Sequence, residues 1–182
     1  MQTLVKQLMI PLEQYPTIGV EATLYEATTS LEKAHDCLED RIYKPRALLV
    51  VDEGGQVVGK LSLWDCLQAL EPKYREPTLL SHFGFNPELV RAAVEEHGLW
   101  NDPLDELCRK AAVMQVREFM SVPGEHEYVD ENATLAEAVH QTIAGKHMGL
   151  LVTRGRQKQV VGFLRVCDLF EYVCQHMKRC EI

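Results

Sequence analysis

Val57-Val58-Gly59-Lys60-Leu61-Ser62-Leu63-Trp64-Asp65 is written a second time, altered but legible, as Val160-Val161-Gly162-Phe163-Leu164-Arg165-Val166-Cys167-Asp168, a shift of 103 positions (57 to 160). Upstream, Val5-Lys6-Gln7-Leu8-Met9 returns as Val116-Arg117-Glu118-Phe119-Met120, a shift of 111 (9 to 120). At that same shift Glu21-Ala22-Thr23-Leu24-Tyr25-Glu26-Ala27 returns as Asn132-Ala133-Thr134-Leu135-Ala136-Glu137-Ala138. Two copies of one folding unit predict a paired structure about a pseudo-twofold axis. The space between such copies is a natural place for a ligand.

Each copy reads as strand, helix, strand, strand, helix. Each copy opens with a short helical or turn segment ending in Met9 or Met120, and after a loop short apolar stretches follow at 17–20 and 128–130. Thr23 with Glu26, and Thr134 with Glu137, then stand at capping-box spacing: the hydroxyl accepts from an early helix amide and the glutamate reaches back to the cap. Helical spacing directs Leu24, Ala27, Leu31, Ala34 and Leu38 inward in one copy, and Leu135, Ala138, Val139, Thr142 and Ile143 in the other. The dense runs Ala47-Leu48-Leu49-Val50-Val51 and Gly149-Leu150-Leu151-Val152 are too short for helices and fit strands covered on both faces. Glu53-Gly54-Gly55-Gln56 is a hairpin turn, matched by the longer turn at 154–158. Final helices are expected near 63–70 and 166–177, with Trp64 packing beside its strand. The shift drops from 111 to 102 before the central strand (47 to 149), so the first copy carries nine extra residues around 39–46.

Boundaries follow at 1–71 for the first unit, 72–115 for a helical insertion and 116–182 for the second unit. In the insertion, Asn86-Pro87-Glu88 starts a helix that His97-Gly98 ends. Asp102-Pro103 starts another, with Leu104, Leu107, Ala111 and Met114 as its apolar stripe.

The 182 residues suffice for one compact domain or two small ones, and a formal charge of −8 disfavours sequence-independent nucleic-acid binding or a polybasic membrane patch. No apolar run reaches membrane-spanning length and the first residues lack the order of a secretory signal, so the expected location is the cytoplasm. Six scattered cysteines form no C-x-x-C pair. Cys174, His176 and Cys180 fit no common zinc spacing, so neither metal nor cofactor is expected.

The element order, with G-x-h-S-x-x-D (h apolar) at the last strand-to-helix junction, resembles the CBS domain, named for cystathionine β-synthase. Tandem pairs of that domain form a Bateman module. The resemblance rests on Gly59 to Asp65, its altered twin Gly162 to Asp168, and the V-[KR]-[QE]-[LF]-M opening of each copy. It implies an α+β fold, β-α-β-β-α in each copy, and a regulatory module binding adenosine-containing ligands between the copies. AMP, ADP or ATP come first, S-adenosylmethionine or a dinucleotide next.

Carried over by position, Asp65 and Ser62 serve one cleft and Asp168 and Arg165 the other. Ile10 and Pro11, with Ser121 and Val122, would flank the bases; Arg46 and Ala47, with Met148 and Gly149, would line the loops before the central strands. An aspartate at a helix start can accept both hydrogens of a ribose diol through charge-assisted bonds, yet the same residue caps its helix without any ligand. Glycine at 59 or 162 lets another backbone or a ligand approach the strand. Arg165, where the first copy has a serine, either holds a phosphate bidentately or fills its cleft. Lys44, Arg46, Lys146 and His147 are further phosphate candidates or solvated surface. A sensor that changes its association with itself or a partner protein is the leading reading, and a ligand-free dimerising scaffold is the alternative. No nucleophile–base pair, P-loop or dinucleotide fingerprint suggests an enzyme. A homodimer is expected, because twofold closure is the commonest assembly.

Overall fold

Both capping boxes form, and from them the two halves can be laid over one another. Glu26 accepts from the Thr23 amide (2.8 Å) and Glu137 from the Thr134 amide (2.7 Å), while each threonine oxygen accepts from its glutamate's amide. The computed structural model describes residues 2–37, 42–75, 91–92, 94–96, 98–99 and 101–179. In chain order the elements are β1 (Ile10–Pro11), β2 (Thr17–Gly19), α1 (Leu24–Cys37), β3 (Ala47–Val51), β4 (Val57–Ser62) and α2 (Leu63–Gln68). There follow α3 (Leu104–Ala112), α4 (Val116–Phe119), β5 (Tyr128–Asp130), α5 (Leu135–Gly145), β6 (Gly149–Arg154), β7 (Gln159–Arg165) and α6 (Val166–Met177). The helix expected between Asn86 and Gly98 falls largely outside the described residues, as does Leu38.

Two sheets result, β2-β3-β4 and β1-β7-β6-β5. In each, a short strand runs parallel to the central one (β2 beside β3, β5 beside β6) and a hairpin returns antiparallel. Alternation along the central strands explains their unbroken apolar sequence. Leu48 and Val50 enter one core and Leu150 and Val152 another, while Leu49 and Leu151 meet between the sheets beside Ile10, Tyr15 and Phe163. Both faces are covered, as the composition of these strands requires.

The opening segments cross over. The Val5 amide bonds to the Ala133 carbonyl of the second unit (2.9 Å), and the Val116 amide to the Ala22 carbonyl of the first (2.7 Å). Val116 and Phe119 lie in the core with Leu24, Leu48 and Leu61, whereas Val5 lies in the core with Leu135, Leu150 and Leu164. Each hydrophobic core is thus finished by a segment from the other copy. Strand β1 pairs with β7, and its twin residue Ser121 forms a bridge with Lys60 of β4.

Three packing expectations change. Ile143 is 71% exposed because the buried stripe of α5 is Leu135, Ala138 and Thr142. At about 100° per residue, Ile143 has rotated off that stripe. Leu104, the first residue of α3, is exposed, while Leu107 and Ala111 are buried. Trp64 is 66% exposed, since α2 turns Asp65 and Ala69 inward and Trp64 outward.

Candidate functional site

Asp65 and Asp168 each sit at the start of a helix, where β4 turns into α2 and β7 into α6, and both are buried at 5% and 2% exposure. Their surroundings differ. One Asp65 oxygen accepts from the Ser62 amide (2.7 Å) and the Ser62 hydroxyl (2.5 Å); the other accepts from the Ser121 hydroxyl (2.7 Å), which arrives from the second copy. Ser62 also caps α2 by accepting from the Asp65 amide at 3.2 Å. Asp168 is instead gripped by a guanidinium: Arg165 Nε donates to one carboxylate oxygen and Nη2 to the other, both at 2.6 Å. The remaining nitrogen, Nη1, donates to the Tyr43 carbonyl at 2.7 Å, and Arg165 is only 4% exposed. Burial opposes the Arg165 charge, but the Asp168 carboxylate more than offsets it and leaves the guanidinium held above its ordinary value.

The rims differ in the same sense. Around Asp65, Ser121, Val122 and Arg46 are exposed and Ser62 and Ala47 are half-buried. Around Asp168, Ile10 and Gly149 are buried, Pro11 is half-buried and only Met148 is exposed. Tyr15 fills this second region: its ring lies on Phe163 (centroids 4.9 Å apart) and its hydroxyl donates to the Ala47 carbonyl at 3.1 Å. Burial pushes the Tyr15 phenol well above its ordinary value. Phe163 in turn lies on Gly149 so closely that a Cβ there would overlap the ring.

The glycines of the repeated motif are explained by the crossing segments. A Cβ on Gly162 would come within 2.6 Å of the Ile10 carbonyl oxygen and 2.9 Å of Met9 Sδ; one on Gly59 would come within 2.5 Å of Met120 Sδ. The methionine that closes each opening segment therefore rests on the other copy's motif glycine.

The CBS domain family profile matches residues 5–72. Residues 5–72 are a CBS domain. No curated protein matches the chain by sequence. Among solved structures the chain is similar to the CBS-pair protein CBSX2 of Arabidopsis thaliana, with TM-score 0.62 and 18% identity over 99% of both chains. It is similar to CBSX2 in complex with AMP (TM-score 0.59, 16% identity, 96% of this chain and 98% of that one). The cytosolic domain of the Mg2+ channel MgtE in complex with ATP is similar too, with TM-score 0.57 and 18% identity over 93% of this chain and 48% of that one. These likenesses extend the fold of a CBS pair over the whole chain.

Several groups around the two aspartates are not among the site residues read from the motif. Tyr15, the Tyr43 carbonyl and Phe163 close the Asp168 region, and Lys60 pairs with Glu127 across the two copies. The repeat itself carried the signal for two of them: Tyr15 aligns with His126 and Phe163 with Lys60, unlike residues at matched places. Of the phosphate candidates, Lys44, Arg46 and Lys146 are exposed, while His147 is half-buried with Nδ1 3.9 Å from Glu127 Oε2. Cavities of about 540 and 380 Å3 lie at the hairpin tips (Gln56, Gln157, Tyr128) and beside α3 (Glu71, Lys110, Met114). Neither is lined by Asp65 or Asp168. Burial, aided by the Asp65 charge, pushes the Cys66 thiol up to about 11, leaving it protonated and unreactive near neutrality. His176 stays within its own helix: its ring contacts the Tyr172 carbonyl at 2.9 Å, and among the described residues no acidic, thiol or imidazole group of three is placed for a metal ion. Among them, too, no helix is long and apolar enough to cross a membrane.

Proposed function

We propose that this CBS pair is a regulatory module that takes an adenosine-containing ligand, AMP, ADP or ATP, with the ribose at Asp65. The observation carrying this reading is that the Asp65 carboxylate is satisfied by two serine hydroxyls on rotatable side chains beneath an exposed rim. A ribose diol offers the same two O–H donors, so ligand binding replaces like bonds with like. Each charge-assisted bond is worth about 1.5–3 kcal/mol, and Asp65 need not go unpaired at any stage. Similar folds in complexes with AMP and with ATP support the ligand class.

Calorimetric titration of ligand-stripped protein with AMP, ADP, ATP, S-adenosylmethionine and a dinucleotide tests the reading. The expected result is saturable binding of an adenine nucleotide that Asp65→Ala weakens at least tenfold, the cost of about 1.4 kcal/mol. Equal affinity in Asp65→Ala and wild type would refute the assignment. The output is a changed association of the chain with itself or with a partner protein. Exposed Leu63, Trp64 and Leu67 on α2, with Phe170 and Met177 on the twin helix α6, support a homodimer through these helices. A ligand-free scaffold is the second reading, favoured by the complete internal satisfaction of both carboxylates; a panel with no binding at millimolar concentration would select it.

A further inference from the structure

We infer that Arg165 is a built-in substitute for a second ligand: it occupies the Asp168 site and, through Tyr43, holds the segment that borders the Asp65 site. The inference rests on the ligand class proposed above and goes beyond it by assigning a role to a residue that departs from the motif. Arg165 presents two parallel N–H donors to Asp168 at 2.6 Å, the pattern in which a ribose diol would present two O–H donors. Its third nitrogen donates to the Tyr43 carbonyl. From Tyr43 the chain runs three residues to Arg46, whose carbonyl accepts from the Leu63 amide at 3.2 Å, and Leu63 begins the helix that carries Asp65. The next residue, Ala47, gives its carbonyl to Tyr15 and pairs with Ser62. A continuous run of bonded groups therefore links Arg165 to the Asp65 site. Tyr43 belongs to the extra residues of the first copy, so residues 43–46 and the arginine are two parts of one device.

Removing Arg165 alone would leave Asp168 buried and without its guanidinium, a state that invites an external diol. Arg165→Ser gives the second unit the residue that the first has at position 62. The test uses AMP as probe, with stoichiometry read by calorimetry in wild type, Arg165→Ser, Asp65→Ala and the Asp65→Ala/Arg165→Ser double variant. Expected is one additional AMP per chain whenever Arg165 is serine, in both backgrounds. Wild-type binding, or its lack, bears on the Asp65 proposal alone; the increment bears on Arg165 alone. Where Arg165→Ser lacks a cooperative melt, Arg165→Asn keeps an N–H donor beside the Asp168 carboxylate while vacating the space of the guanidinium. No increment in either variant while folded overturns the substitution of arginine for ligand. Arg165→Ser also tests the tether without AMP: a serine is too short to replace the guanidinium at the Tyr43 carbonyl, so the Leu63 amide should exchange several-fold faster relative to the amides of β6. An unchanged Leu63 rate overturns the tether.

Discussion

Lys60 and Phe163 occupy matching positions of the two units, and the difference sets the character of the region between them. The phenyl ring packs with Tyr15, while the ammonium crosses to Glu127 of the second copy. Burial pushes the Glu127 carboxyl up, but Lys60 and the Gly124 amide (3.0 Å) outweigh it and hold the group below the ordinary glutamate value of 4.5. A carboxyl whose folded pKa is depressed stabilises the protein fully above its unfolded value, and that stabilisation is lost as pH falls through the lower folded value. The stability gap between wild type and Glu127→Gln is therefore expected to be about 1 kcal/mol near neutrality, as for a partly exposed pair, and to narrow below about pH 4.5. Urea unfolding midpoints from pH 7 to pH 3 measure it; a gap that does not change across this range would contradict the role of the ion pair.

At the scale of elements, the motif glycines are the clearest instance of a residue choice imposed by a neighbouring segment. Gly162 faces a backbone carbonyl, that of Ile10, which β1 pairing with β7 holds in place. Gly59 faces chiefly the side chain of Met120, which has three rotatable bonds to yield with. Gly162→Ala should thus cost about 1–3 kcal/mol, the range for overpacking, and Gly59→Ala distinctly less. Chemical denaturation of both variants checks the order, and equal costs would mean that β1 yields as readily as a methionine side chain. Close approach at these glycines was readable from the sequence, because a glycine inside a strand pattern has few other uses. The capping boxes and doubly covered strands were readable for the same reason: each reports a local requirement. Which copy supplied the approaching segment was not readable. Val5 and Val116 have the same apolar character whether they pack on their own unit or on the other, and spacing specifies elements rather than partners. Ile143 and Leu104 likewise fit an apolar stripe within the tolerance of helical spacing, and only the packing of α5 and α3 separates them from it.

For the whole molecule, the near-twofold repeat hides a structural asymmetry between the surroundings of its two motif aspartates. Asp65 and Asp168 were both legible as motif residues, but the closure of the Asp168 site depends on Tyr15 and Tyr43, which lie outside the motif, and on Phe163, at one of its variable positions. Tyr43 in particular meets Arg165 across 122 positions of sequence, a contact no local pattern encodes. The crossing of opening segments has its own consequence at this scale. Phe119 lies 1% exposed in the core of the first unit although it belongs to the second copy, and Val5, fully buried, does the reverse. Neither unit can open without emptying part of the other's core, so the pair should unfold in a single transition, with calorimetric and van't Hoff enthalpies equal. Phe119→Ala removes a ring that a collapsed core cannot replace and should cost about 3–5 kcal/mol. In a molecule built from independent halves that loss would split the melt, leaving the second unit at its original temperature. Here it should lower one undivided transition, as should Val5→Ala by a smaller amount. Two resolved transitions in Phe119→Ala, by scanning calorimetry, would show that the crossed segments do not bind the halves into one cooperative unit.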